Sequence, residues 1–169
     1  MAVSDYLLEI KGPDLKGESQ DDQYKESIHI DSWSWTGTNA SSHHVGAGGG
    51  AGKVMHGDMQ CQKYLDKASI ILFDKLNCGD HFREAILHCR KKTGNEGKAL
   101  EFLKITMKHV TVSNVSLGGH GNATAISESL SLSYEEVKFE YIEQKPDGSK
   151  GGTVSAGWNL AQNKQIKAA

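Results

Sequence analysis

Histidine and cysteine are the side chains in this chain best suited to bind a metal or act as a nucleophile. The sequence has eight histidines and three cysteines, Cys61, Cys78 and Cys89. Their spacing contains neither Cys-x-x-Cys nor His-Glu-x-x-His, the frames that present two ligands to one zinc ion. The adjacent residues His43 and His44 would point to opposite faces of an extended segment, so they cannot share an ion. We therefore predict surface histidines, buried reduced thiols and no metal site.

The sequence also contains no recognisable arrangement of catalytic residues. No cysteine lies in a glycine-flanked elbow or at a helix start, where a thiol becomes a thiolate more easily. The paired acids Glu135 and Glu136 lie at a change of strand phase, which favours solvated charge over acid–base work. Among the possible metal-ligand pairs, His56 and Asp58 are the exception to divergent side chains, because they share one face of a predicted strand. We predict a protein that is not an enzyme, without catalytic or cofactor-binding residues. The alternative is a small β-barrel hydrolase, or a ligand- or metal-binding protein that uses the glycine-rich loop or the His and Cys residues.

The stretch from Gly46 to Gly52 contains no side chain that can fill a core. Bare backbone of this kind suits contact with an anionic ligand or with another subunit. A Walker-type phosphate loop would need Gly at position 47 and Ser or Thr at position 54, where the chain has Ala47 and Val54. A dinucleotide-binding loop would have to open a helix, and the residues that follow do not have a helical pattern. Contact with a protein is therefore favoured, with an exposed loop that makes no contact as the alternative.

The elements that must position these residues are mostly strands, because apolar and polar residues alternate along much of the chain. The apolar phase shifts by one residue between Ile30 and Trp33, which predicts a bend that carries the strand from one sheet surface to another. Further shifts between Met107 and Leu117 are typical of an antiparallel sheet that curls toward closure.

One helix is predicted at about residues 67–77. Asp66 can cap its start and Gly79 is placed to end it. Its predicted buried face consists of Ala68, Ile71, Leu72 and Leu76. The predicted fold class is therefore all-β, mainly antiparallel: a compact β-barrel or two packed sheets, with one helix and an extended glycine-rich loop. The length fits a single domain over residues 1–169.

Composition excludes several classes of partner. The chain has 19 basic and 21 acidic side chains and a formal charge of −2, so it lacks the basic surplus that nucleic-acid binding normally requires. No apolar run approaches membrane-spanning length, and we expect no membrane insertion. The N-terminal residues lack the pattern of a signal peptide, which predicts synthesis and folding in the cytosol.

Six features, in this order and spacing, resemble the haemolysin-coregulated protein family, whose members are tube subunits of bacterial type VI secretion. They are the segment Asp31 to Trp35, the loop Gly46 to Lys53, the single helix, Leu117-Gly118-Gly119, the strand Ser127 to Tyr141, and Gly157-Trp158-Asn159. The resemblance covers nearly the whole chain. It implies a small β-barrel that assembles six to a ring, with rings stacked into a hollow tube.

The resemblance also implies the partners and the route. The tube is capped by a valine-glycine-repeat spike protein and surrounded by a contractile sheath. It carries and protects effector proteins in its lumen, and it leaves the cell by this route without a signal peptide after assembly in the cytoplasm.

Two sets of residues are candidates for these contacts. The predicted contacts to the next ring or the neighbouring subunit are Gly46, Gly48, Gly49, Gly50, Gly52 and Lys53. A lumen that passes varied cargo should be polar and sparse in large charged groups, and serine rows on two strands fit this description. The predicted lumen or cargo-facing residues are Ser32, Ser34, Ser127, Ser129 and Ser131. The alternative is that both serine rows face solvent on the outside.

Overall fold

The structure is a computed structural model that describes residues 4–40, 53–92 and 99–167. Its strands are β1 (Ser4–Lys11), β2 (Ile28–Ile30), β3 (Ser32–Ser34), β4 (Gly37–Asn39), β5 (Val54–His56), β6 (Met59–Tyr64), β7 (His81–Lys92), β8 (Ala99–Gly118), β9 (Ser127–Ser133), β10 (Glu136–Gln144), β11 (Lys150–Asn159) and β12 (Lys164–Ile166). One helix, α1 (Lys67–Cys78), lies within the described ranges. All strand pairs are antiparallel, which confirms the predicted fold class.

The strands form two packed sheet surfaces that share the 20-residue strand β8. One surface has the order β12-β11-β10-β8-β7-β1-β2, and the other runs from β8 through β9 and β6 to β3. The predicted phase shifts in β8 coincide with a left-handed residue, His109 (φ 52°), and with a register shift between Val112 and Asn114. The described strands match the packed-sheet form of the predicted fold class.

The predicted bend between Ile30 and Trp33 is confirmed. Ile30 pairs with Tyr6 of β1, whereas Trp33 pairs with Cys61 of β6. Between the two strands, the Asp31 backbone N–H donates to the Gln62 carbonyl at 2.8 Å, so the change of partner leaves no gap in the hydrogen bonding. One continuous segment therefore contributes an edge to each sheet surface.

Helix α1 begins and ends where its local signals predict. The Asp66 carboxylate accepts from the Ser69 N–H at 3.1 Å, and Gly79 ends the helix in the left-handed conformation (φ 67°). Ala68 and Leu72 are buried as predicted, but Ile71 is 43% exposed and that prediction is wrong. Ser69 is buried in its place, because its hydroxyl bonds to the buried carboxylate of Glu128.

The cysteine prediction is only partly right. Cys61 and Cys89 lie in the core with no exposed surface, and both are free thiols. Cys78 is exposed at the last residue of α1.

The connection between β1 and β2 is held to the main sheet by charged and aromatic contacts. His88 on β7 lies between two carboxylates, with Nε2 3.0 Å from Glu9 and Nδ1 3.3 Å from Glu101. The Tyr24 hydroxyl of the connection donates to Glu101 at 2.8 Å, and Arg90 contacts Asp21 at 2.6 and 3.1 Å. The connection is therefore fixed although it has no regular secondary structure.

Candidate functional site

Four neighbouring strands place small polar side chains in rows across one sheet surface. Ser32 on β3 pairs with Gln62 on β6, Gln62 pairs with Ser129 on β9, and Ser129 pairs with Ser116 on β8. Residues paired directly across a sheet project to the same side. These four side chains therefore form one polar row across all four strands.

A second row lies two residues along each strand. It consists of Ser34, Gln60, Ser131 and Asn114, again paired strand by strand. Ser127 extends the surface at the start of β9, where its hydroxyl donates to the Gly118 carbonyl at 3.1 Å. We call this surface the polar face; its residues are Ser32, Ser34, Gln60, Gln62, Asn114, Ser116, Ser127, Ser129 and Ser131.

The polar face is uncharged, and its side chains bond to one another. Ser129 donates to the Gln62 side-chain oxygen at 2.8 Å, and Ser131 donates to that of Gln60 at 2.6 Å. Because each glutamine oxygen accepts from a serine, its amide NH₂ group is left to face water. The surface is thus a hydrated layer of amides and hydroxyls held in place by its own hydrogen bonds.

The same strands bury their other side in the core. Met59 and Cys61 alternate with the glutamines of β6, and Leu130 and Leu132 alternate with the serines of β9, all with 0% exposure. This alternation determines which way the polar side chains point, because every second residue must face the core.

A buried ion cluster joins the polar-face strands to α1. Lys63 on β6 and Glu128 on β9 are both fully buried on the core side, and the Lys63 Nζ lies 2.7 Å from Glu128 Oε2. The same Nζ donates to Asp66 Oδ1 at 3.0 Å and to Ser69 Oγ at 2.8 Å. The N-terminus of α1 is therefore attached to both strands by charged contacts.

The predicted lumen residues lie together, although they come from two separate strands. Ser32, Ser34, Ser127 and Ser129 share the polar face, and Ser131 lies on it but is only 5% exposed beneath Gln60. Sequence reasoning missed the glutamines of β6 and the two β8 residues. Their signal was the alternation Met59-Gln60-Cys61-Gln62, which has the same period as the serine row.

Most of the predicted stacking residues cannot be placed. Gly46, Gly48, Gly49, Gly50 and Gly52 lie outside the described residues. Lys53 is described and exposed, next to β5. Strands β4 and β5, which precede and follow the glycine run in the sequence, pair with each other as a two-stranded sheet.

The metal-capable residues do not converge in the described ranges. No group of three or more His, Cys, Asp or Glu side chains lies close enough to hold an ion there. His56 packs edge-on against Trp35 at 5.5 Å, and burial lowers its pKa. Asp58 instead accepts from the Ser113 hydroxyl at 2.6 Å, because β5 ends at His56 and the chain turns before Asp58. Burial raises the pKa of Cys61 to about 12, which disfavours the nucleophilic thiolate.

Within 4–40, 53–92 and 99–167, no helix has the length and apolarity to cross a bilayer.

Comparison with known proteins agrees with this arrangement. A family model described as "Type VI secretion system effector, Hcp" matches residues 7–141. Protein hcp1 of Pseudomonas aeruginosa is 43% identical over 157 residues, which cover 92% of this chain and 96% of that protein.

Solved structures give the same result. One, described as a type six secretion system protein, is similar with a TM-score of 0.88 and 28% identity over 97% of this chain and 100% of that one. Hcp1 from Salmonella typhimurium is similar with a TM-score of 0.78 and 36% identity over 98% of this chain and 100% of that one. The chain therefore belongs to the Hcp family of secreted type VI tube and effector proteins.

Proposed function

We propose that this chain is a structural subunit that assembles into hexameric rings, which stack into a hollow tube that carries effector proteins. Membership of the Hcp family implies tube assembly and self-association. The observation that carries the finer proposal is the polar face, which we assign to the lumen. A surface of amides and hydroxyls has no net charge of either sign, so cargo of varied charge can pass without forming ion pairs with the wall.

Stacking of rings is assigned to Gly46, Gly48, Gly49, Gly50, Gly52 and Lys53. Backbone without side chains can approach a neighbouring ring closely and offer its N–H and C=O groups. The double variant Gly49→Val/Gly50→Val should keep the fold and form rings, but it should fail to form tubes in electron micrographs. Normal tubes from this variant would remove the assignment.

The proposal includes the wider machinery. The stacked tube is capped by a valine-glycine-repeat spike protein and enclosed by a contractile sheath, and the protein leaves the cytoplasm through this apparatus. The chain acts as one domain over residues 1–169 and catalyses no reaction itself, because its role is structural.

The test combines size with the position of a label. Light scattering should give particles of six times the 18.4 kDa chain mass, and negative-stain images should show a central hole. In a Cys78→Ser background, a gold-labelled Ser34→Cys protein should carry its label inside the hole. Thr153→Cys is the exposed control on β11, and its label should lie outside.

Two results would contradict the proposal. A label from Ser34→Cys on the outer rim would contradict the assignment of the polar face to the lumen. A sample that stays at 18.4 kDa at high concentration would remove ring assembly itself.

A further inference from the structure

The described residues leave an apolar groove uncovered beside the hydrophobic core. It encloses about 250 Å³, and its described lining is almost free of polar surface. By comparison, an apolar cavity of about 150 Å³ holds a benzene molecule, so this groove can accept an aromatic side chain with an aliphatic neighbour. Its walls and floor are formed mainly by Trp35, Val54, Val137, Phe139, Ala156 and Trp158.

The groove continues onto an uncovered strip of sheet. Tyr141 on β10 and Val154 on β11 are paired directly and are 50% and 73% exposed. They lie on the same side of these strands as Phe139 and Ala156, because they are two residues away along each strand. Scattered exposed apolar residues are ordinary, but a continuous apolar surface marks a contact with another molecule.

Helix α1 presents a second exposed apolar surface, which we call the ridge and which consists of Ile70 and Phe73. Ile70 and Phe73 are 65% and 57% exposed. They are three residues apart and therefore lie on one face of the helix, one above the other.

The ridge and the groove lie at opposite ends of β6. His56, which lines the groove, precedes β6 by three residues, and α1 begins three residues after β6 ends. Six residues of strand span about 20 Å, so the ridge of one copy is too far away to reach its own groove.

The rest of the chain has little with which to fill the groove. Outside the described residues, the large aliphatic side chains are Met1, Val3 and Val45. Self-association is a property of the family, so a second copy is the occupant that the observations favour.

We propose that Ile70 and Phe73 of one copy insert into the apolar groove of the next copy, as the contact between adjacent subunits of an assembly. This inference rests on the self-association in the proposed function. Each copy uses its ridge toward one neighbour and its groove toward the other, which is a head-to-tail contact. Such a contact closes into a ring when its rotation returns to the first copy, and every apolar surface of this kind is then covered.

Site-directed crosslinking of the full-length protein tests the pairing. The variant Phe73→Cys/Val154→Cys, in a Cys78→Ser background, should give a ladder of crosslinked multimers with a short bifunctional maleimide on a denaturing gel. The matched control Phe73→Cys/Thr153→Cys should give none, because Thr153 is also exposed on β11 but faces the other side. Phe73→Cys alone should also remain uncrosslinked.

The outcomes separate this inference from the proposed function. Rings in micrographs without a ladder from Phe73→Cys/Val154→Cys would overturn the inference and leave the function in place. Absence of rings in the wild-type protein would overturn both.

A second variant does not depend on crosslinking. Ala156→Trp fills the groove and should abolish assembly while circular dichroism shows an unchanged fold, whereas Thr153→Trp should assemble normally. Normal rings from Ala156→Trp would contradict the inference.

Discussion

Replacement of Lys63 by Met should destabilise the protein strongly, although Met is the more apolar residue. Lys63 and Glu128 both have 0% side-chain exposure and lie 2.7 Å apart. Without the ammonium group, the Glu128 carboxylate is left buried and without a cation. Removal of one partner of a buried ion pair costs about 3–5 kcal/mol. The loss of the ammonium group affects the Asp66 carboxylate less than that of Glu128, because Asp66 is 10% exposed and still caps α1.

The double variant Lys63→Met/Glu128→Leu should recover most or all of this loss. Replacement of a buried pair by apolar residues of similar size is often neutral or stabilising, by about 1–4 kcal/mol. The Glu128 Oε1 atom has no hydrogen-bond partner among the described residues, so removal of this atom breaks no hydrogen bond. Ser69 keeps its bond to the Asp66 backbone N–H at 3.0 Å.

The assay is urea unfolding followed by tryptophan fluorescence, at one protein concentration for all variants because assembly contributes to apparent stability. The control is Lys16→Met, which removes the exposed pair between Lys16 and Glu26 and should change the midpoint little. A loss below about 1 kcal/mol for Lys63→Met, or a double variant as unstable as the single one, would refute the reasoning.

Two further predictions concern the pKa of Glu101 and the reactivity of the three thiols. Burial opposes ionisation of Glu101, but hydrogen bonds from His88 and Tyr24 outweigh it and lower the pKa of this carboxyl. Its stabilisation is therefore complete above the unfolded value of about 4.3 and is lost as the pH falls through the lower folded value. The difference in Tm between wild type and Glu101→Gln should shrink below about pH 4, and a constant difference would contradict this. In the second prediction, a thiol reagent should modify only the exposed Cys78 in native protein and all three cysteines in unfolded protein. The reason is that Cys61 and Cys89 are buried. Labelling of Cys61 in native protein, detected by mass spectrometry, would contradict this prediction.

Local signals predicted the elements well because their causes are local. Asp66 and Gly79 mark the ends of α1 through hydrogen bonds and a backbone angle that involve only nearby residues. The shift between Ile30 and Trp33 predicted a bend because a strand can bury only every second residue on one side. The buried face of α1 was predicted less well, since Ser69 is buried by Glu128, which is 59 residues away in the sequence.

The alternating sequence by itself determined which residues form strands and which side chains share a face, since the period of two is a property of each strand alone. It also determined a polar serine row on β3 and another on β9. Only the tertiary structure decided that β6 lies between them, so that Gln62 accepts from Ser129 across 67 residues of sequence. It also paired Lys63 with Glu128, which is 65 residues away in the sequence. The order of the strands depends on burial and hydrogen bonding between segments that are distant in the sequence. A local sequence pattern therefore cannot predict it.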